Sequence, residues 1–142
     1  MTASLTSSSS PSSAAPVGHL LCIDDNPVNG LLMQEFFQLL RGVPVKVAMT
    51  GLEGLDMALS ERPMAVLLDL VLPDISGTEV LRRLRQDPRL SDLPVAIVSG
   101  SVDGEEFQQV EQLGIQACWP KPLDFARLGT LLDQLLGCTT AA

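Results

Sequence analysis

The sequence predicts a single α/β domain whose mostly parallel sheet is covered by helices on both faces. Three observations predict it. Short apolar runs alternate with longer segments of helical period along most of the chain. Two of those runs, 64–70 and 94–99, are almost continuously apolar, as in strands that are buried on both faces. The length of 142 residues fits one domain with one hydrophobic core.

Composition excludes several classes of protein. Seventeen acidic and nine basic residues give a formal charge of −8, whereas nonspecific binding to nucleic acid or to an anionic membrane needs a positive surface. A hydrophobic content of 46% is too high for a disordered chain. Three cysteines without a CxxC pair favour a reduced, cytoplasmic location. The first residues carry neither the positive nor the apolar segment of a signal peptide, so none is expected, and no apolar run approaches the roughly 20 residues of a membrane helix.

Composition also divides the chain into three parts. Residues 1–18 are almost all Ser, Ala, Thr and Pro, which predicts a flexible tail or linker. The apolar pattern begins abruptly at His19 and predicts a folded domain over residues 19–137. Residues 138–142 are assigned to a short C-terminal tail.

The first strand is predicted over residues 19–24, an apolar run that ends in acidic residues. Asn26 then caps a helix with Pro27 at its first position, and Gly42 ends that helix. The inward face of the helix is predicted to comprise the large apolar residues Leu31, Leu32, Phe36, Leu39 and Leu40.

The middle of the chain repeats the pattern of a strand followed by a helix. Residues 45–49 alternate as a second strand, and Thr50 opens a short helix. The buried run at 64–70 is the third strand, followed by a loop rich in turn-forming residues. A helix over residues 79–86 then ends at Asp87, which precedes a proline.

The last part of the chain contains two more predicted strands, each followed by a helix. The apolar run at 94–99 is the fourth strand. A helix over residues 105–113 ends at Gly114, and a weaker strand follows over residues 115–119. A final amphipathic helix is marked by Phe125, Leu128, Leu131, Leu132 and Leu135.

Five predicted strands thus alternate with five predicted helices. Right-handed crossovers leave few arrangements for such a chain, and the flavodoxin-like strand order 2-1-3-4-5 is one common choice. In an open parallel sheet, ligands bind beyond the carboxyl ends of the strands. The residues with useful chemistry at these ends are Asp24, Asp25, Asp69, Ser99 and Lys121.

Three carboxylates held together repel one another, so a cation is expected to join them. Mg²⁺ suits such a site because it takes oxygen ligands and commonly links carboxylates to a phosphate. Asp69 would then attack phosphorus and form an acyl phosphate, while Lys121 and Ser99 would contact the phosphoryl oxygens. Asp74 is assigned to the turn after the third strand rather than to metal binding.

Four stretches resemble the receiver domain of two-component response regulators. They are CIDDNPVN (22–29), LLDLVLPDISG (67–77), AIVSG (96–100) and WPKPL (119–123). The intervals of 44 residues from Asp25 to Asp69, 30 to Ser99 and 22 to Lys121 are typical of that family. The DDNPVN form most resembles the receivers of hybrid histidine kinases. The resemblance covers residues 19–137.

The resemblance implies a role for each motif. Asp69 would be the phosphoacceptor, taking its phosphoryl group from a histidine kinase or a histidine phosphotransfer protein. Ser99 would move toward that group, and Lys121 would pair with it. The peptide bond between Lys121 and Pro122 resembles the family's cis peptide. A second copy of the chain is an expected partner as a homodimer, and the negative charge disfavours direct contact with nucleic acid or a membrane.

The same resemblance assigns a magnesium site. Asp24, Asp25 and Asp69 would hold Mg²⁺ together with the backbone carbonyl of Val71, and Asp25 would be the more direct ligand of the acidic pair. Such a domain would hydrolyse its own phosphoryl group slowly without being a dedicated enzyme.

One position departs from the family pattern. Receivers usually carry Tyr or Phe three residues before the lysine, whereas here that residue is Cys118 and the aromatic side chain is Trp119. Strand alternation places these two side chains on opposite faces. An alternative reading is therefore a degenerate receiver that binds partner proteins without being phosphorylated.

Two other classes of protein are disfavoured. A phosphatase of the haloacid dehalogenase type needs an acid two residues after its nucleophile, where this chain has Val71. A nucleotide-binding domain of similar fold would carry a glycine-rich phosphate loop, and neither GxGxxG nor GxxxxGK[ST] occurs.

Overall fold

The computed structural model describes residues 18–100, 104–121, 126 and 128–135. Its strands form one parallel sheet in the order β2-β1-β3-β4-β5, which confirms the predicted flavodoxin-like fold. The strands are β1 (Leu20–Ile23), β2 (Val45–Ala48), β3 (Ala65–Leu68), β4 (Val95–Ser99) and β5 (Ala117–Pro120). The helices are α1 (Pro27–Arg41), α2 (Gly51–Ser60), α3 (Gly77–Gln86), α4 (Gly104–Leu113) and α5 (Leu128–Leu135).

Some predictions concern residues outside that description. They are the N-terminal tail up to residue 17, Pro122 with its predicted cis peptide bond, Phe125 and the C-terminal tail. Among the residues described, no helix is long and apolar enough to cross a membrane.

The sheet separates two apolar layers, because successive side chains of a strand point to opposite faces. We call these the α1/α5 layer and the α2–α4 layer. The first contains Leu20 and Leu67 with residues of α1 and α5, and the second contains Leu21 and Leu68 with residues of α2, α3 and α4. All residues of β1, β3 and β4 are buried, as expected of central strands covered on both faces.

Helix α1 begins and ends as predicted, with the Asn26 side chain accepting a hydrogen bond from the Val28 N–H and Gly42 in the left-handed region at φ 64°. The predicted inward face is correct for Phe36, which packs against the α1/α5 layer, and wrong for three of its leucines. The exposed leucines are Leu31, Leu39 and Leu40.

The buried face of α1 instead carries Gly30, Met33 and Phe37. A Cβ atom on Gly30 would lie 2.8 Å from the Val47 side chain, so the helix approaches β2 on the side where a side chain is missing. Apolar residues occur around most of the helix, and hydrophobic spacing alone therefore does not determine which of them face the sheet.

Helix α3 begins at Gly77, two residues before the predicted Glu79, and Ser76 caps it. The Gly77 N–H donates to the carbonyl of Leu70 at 2.8 Å. A Cβ atom on Gly77 would lie 2.2 Å from the carbonyl oxygen of Asp69, which is too close for any L side chain. This contact fixes the start of α3 against the chain that leaves β3.

We predict that Gly77→Ala lowers the free energy of unfolding by roughly 1–3 kcal/mol, because the methyl group has to displace backbone atoms. Gly104→Ala is the matched control. Gly104 also begins a helix, and a Cβ atom there would meet no atom of the described residues within 4 Å. Urea denaturation of both variants tests the prediction. Equal stabilities would contradict the close contact.

A second prediction concerns His19, which is buried with 5% exposure just before β1. Burial lowers the pKa of His19 below its ordinary 6.5, and the charge of Lys46 lowers it further, against a smaller opposing effect of Glu61. The unfolded chain therefore takes up this proton more readily than the native state. The contribution of His19 to stability is complete above about pH 6.5 and is lost as the pH falls through the native pKa.

We expect the free energy of unfolding to fall more steeply between pH 7.5 and 5.5 in the wild type than in His19→Gln. Urea denaturation at a series of pH values measures both slopes. Parallel curves would mean that His19 is protonated equally easily in the native and unfolded states.

Candidate functional site

Backbone hydrogen bonds extend the parallel sheet by one residue beyond three of its strands. These additional residues are Asp24, Asp69 and Lys121, which the sequence predicted to be part of the site. The Asp24 N–H donates to Ala48 at 3.0 Å, and the Asp69 N–H donates to Ile23 at 3.0 Å. The Lys121 N–H likewise donates to the last residue of β4 at 3.0 Å. The register of the sheet therefore brings these three residues to one edge.

Lys121 joins two of the acidic residues. Its Nζ atom lies 2.8 Å from Oδ2 of Asp24 and 2.8 Å from Oδ2 of Asp69. The two carboxylates are nearly buried, with side-chain exposures of 6% and 8%. Burial by itself lowers the pKa of Lys121, but hydrogen bonds from Nζ to both carboxylates, together with their charges, outweigh it and leave the pKa raised. Lys121 is therefore an ammonium ion at neutral pH.

Asp25 completes a group of three carboxylates. One oxygen from each of Asp24, Asp25 and Asp69 lies within 4.8 Å of the others. Asp25 is exposed, and its carboxylate forms no hydrogen bond or ion pair with any residue that the structure describes. Three negative charges against one ammonium leave the group at −2. An all-oxygen, negatively charged donor set of this kind fits Mg²⁺.

The Asp24 carboxylate is held in place by three donors. Its Oδ1 accepts from the backbone N–H of Asn26 at 2.9 Å, and its Oδ2 accepts from Nδ2 of Asn29 at 3.2 Å in addition to Lys121. The sequence did not single out Asn29. Its only signal was its position near the start of the helix that follows the acidic pair.

Asp69 also has both oxygens engaged. Oδ2 contacts Lys121, and Oδ1 accepts from the Val71 N–H at 3.2 Å. Val71 is exposed in the loop beyond β3, and the role of its carbonyl as a metal ligand stays a prediction. Ser99 is buried at the carboxyl end of β4, and its carbonyl accepts the hydrogen bond from Lys121.

The departure at Cys118 has the geometry that strand alternation predicted. Cys118 packs against the α2–α4 layer, whereas Trp119 is buried in the α1/α5 layer, so the indole does not occupy the position of the missing aromatic ring. The other described cysteine, Cys22, is buried, and burial raises the pKa of its thiol to about 12. Cys22 is thus a protonated core residue near the site and does not serve as a ligand.

Comparison with known proteins agrees with this geometry. The chain matches the response regulator receiver domain family over residues 20–133. The polar-differentiation response regulator DivK of Brucella anthropi is 31% identical over 119 residues, which cover 83% of this chain and 95% of that protein.

Two solved structures show the same fold. The chemotaxis protein CheY4 of Vibrio cholerae has a TM-score of 0.78 at 21% identity, covering 85% of this chain and 100% of that one. The receiver domain of a sensor histidine kinase from Pseudomonas aeruginosa, solved with a magnesium ion in its active-site cleft, has a TM-score of 0.75 at 24% identity. The match covers 84% of this chain and 98% of that one.

We predict that Lys121→Met binds Mg²⁺ about threefold to tenfold more tightly than the wild type, because the ammonium ion competes for Asp24 and Asp69. Lys46→Met is the matched control, since that lysine pairs with Glu61 outside the site. Isothermal titration with MgCl₂ measures the three affinities. Weaker binding by Lys121→Met would show that the ammonium ion helps to build the metal site.

Proposed function

The chain belongs to the response regulator receiver domain family, and on that premise we propose that Asp69 accepts a phosphoryl group from a phosphohistidine of a partner protein. Receiver domains are signalling modules of two-component systems. The observation that carries the proposal is the nearly buried Asp69 carboxylate at the end of the central strand, paired with Lys121 and close to two further carboxylates.

In the proposed reaction, a carboxylate oxygen of Asp69 forms a bond to phosphorus while the bond between phosphorus and the imidazole nitrogen breaks. The electron pair of that bond leaves with the imidazole, which then takes up a proton. Lys121 already lies 2.8 Å from Asp69, so a small movement brings its ammonium group to a phosphoryl oxygen. The Ser99 hydroxyl would donate to a second phosphoryl oxygen.

Mg²⁺ is the proposed cofactor. Asp24, Asp25 and Asp69 would hold it with the Val71 carbonyl, and it would neutralise charge on the phosphoryl group. Because Asp24 is already occupied by donors and Asp25 is exposed, Asp25 is the more available ligand of the acidic pair. The magnesium ion in the active-site cleft of the Pseudomonas aeruginosa receiver domain supports the choice of Mg²⁺ as the cofactor.

The proposed partners are a histidine kinase or a histidine phosphotransfer protein, with the cytoplasm as the location. We propose in addition that the aspartyl phosphate is hydrolysed slowly by the domain itself, since an acyl phosphate in a site open to water is hydrolytically unstable. Self-association of the domain as a homodimer is part of the same proposal.

A second candidate function rests on one observation. Cys118 stands where the family usually has an aromatic ring, and Trp119 faces the opposite layer. A receiver without that ring would bind its partner whether or not Asp69 is phosphorylated.

The decisive experiment is incubation with acetyl phosphate and Mg²⁺ followed by intact-mass measurement. We expect the wild type to gain one phosphoryl group and Asp69→Asn to gain none, because an amide is not a nucleophile toward phosphorus. Asp56→Asn, which changes an exposed acid of α2, is the matched control and should be labelled like the wild type.

Two results would contradict the proposal. Labelling of Asp69→Asn to the wild-type extent would place the phosphoryl group elsewhere. An unmodified wild type that still binds Mg²⁺ would favour the phosphorylation-independent candidate.

A further inference from the structure

The loop between β3 and α3 carries the phosphoacceptor at its start and the predicted metal-binding carbonyl two residues later. Its two ends meet through the hydrogen bond between Gly77 and Leu70 and through the close packing of Gly77 on the Asp69 carbonyl. These contacts hold the ends of the loop and leave its middle, residues 71–75, to be held by something else.

Asp74 connects the middle of this loop to helix α2. Its Oδ1 accepts from the Gly51 N–H at 2.8 Å, and its Oδ2 accepts from the Leu52 N–H at 2.8 Å. Two charge-assisted hydrogen bonds from one carboxylate to consecutive N–H groups define both the position and the orientation of the side chain. The sequence placed Asp74 in the turn of its own loop and did not predict this contact, which spans more than twenty residues.

Packing brings the loop and the helix close together at the same place. A Cβ atom on Gly51 would lie 2.7 Å from the Ile75 side chain and 2.8 Å from that of Val80. The first turn of α2 therefore rests directly on the loop. Hydrogen bonds, that of Leu52 first, lower the pKa of Asp74 to about 2, so the carboxylate is ionised at neutral pH.

Helix α2 does not depend on Asp74 alone for its cap. Thr50 Oγ1 caps the helix by accepting from the Glu53 N–H at 3.0 Å, and Glu53 Oε1 accepts from the N–H of Met49, the residue before the cap, at 2.8 Å. The helix thus closes its N-terminus partly with its own residues. The hydrogen bonds of Asp74 differ from these caps because they connect the N-terminus of α2 to the β3–α3 loop.

We propose that Asp74 is a positioning residue of the site, which fixes the β3–α3 loop to the start of α2 and so holds Val71 and Asp69 for metal binding and phosphoryl transfer. The proposal rests on the function proposed above. Asp74 is not among the residues proposed to hold the metal or the phosphoryl group, and it would act only through the loop.

The test compares Asp74→Ala with Thr50→Ala, because each removes a cap of α2 and only the first detaches the loop. We expect amide hydrogen exchange over residues 70–76 to become about tenfold faster in Asp74→Ala and to stay at the wild-type rate in Thr50→Ala. Mg²⁺ affinity and the rate of labelling by acetyl phosphate should fall about threefold to tenfold in Asp74→Ala alone.

Asp74→Asn gives a graded control that also guards against misfolding. Its single amide oxygen retains one acceptor, so loop exchange and Mg²⁺ affinity should lie between those of the wild type and Asp74→Ala. Circular dichroism establishes that all three variants are folded at the temperature of the exchange measurement.

Two results would overturn the proposal. One is equal loop exchange in Asp74→Ala and Thr50→Ala, whether at the wild-type rate or faster, and the other is faster loop exchange in Asp74→Ala with unchanged Mg²⁺ affinity. Failure of the proposed function looks different, because the wild type itself would then take up no phosphoryl group. Amide hydrogen exchange and Mg²⁺ titration do not depend on phosphorylation. They therefore test the role of Asp74 even if the wild type takes up no phosphoryl group.

Discussion

Two carboxylates buried at the end of a sheet need a cation, and Lys121 supplies it. Burying an unpaired charge is costly, whereas Asp24 and Asp69 each lie 2.8 Å from the same ammonium ion. This bridge ties the ends of β1, β3 and β5 together across the sheet. It also sets the chemistry, since the ammonium ion that balances the acidic group is the one that would pair with a phosphoryl group on Asp69.

Two of the three acids of the site are held in place by several donors, and one residue of β5 departs from the family pattern. Asp24 is fixed by two donors besides Lys121, and Asp69 by the N–H of Val71. At the position where receivers commonly carry an aromatic side chain, this chain has Cys118, which is small and half-buried. A thiol presents much less surface to neighbouring helices than a ring does.

The contact between the start of helix α2 and the loop after β3 also holds residues of the site in place. The glycines at positions 51 and 77 allow the backbone to approach where any side chain would collide, and Asp74 adds hydrogen bonds to this contact. The backbone of the loop is thus packed at its ends and bound near its middle. Such a frame suits the role proposed for the Val71 carbonyl as a metal ligand, because little reorganisation would be needed on binding.

The sequence by itself determined the order of strands and helices, the helix caps at Asn26 and Thr50, and the acids, hydroxyl and lysine at the strand ends. These features depend on local periodicity and on the rule that parallel strands present their carboxyl ends at one edge. Tertiary structure alone decided the buried face of α1 and the contacts of Asn29 and Asp74. Apolar residues surround α1, so spacing did not select a face, and a hydrogen bond between distant segments exists only once packing has brought them together.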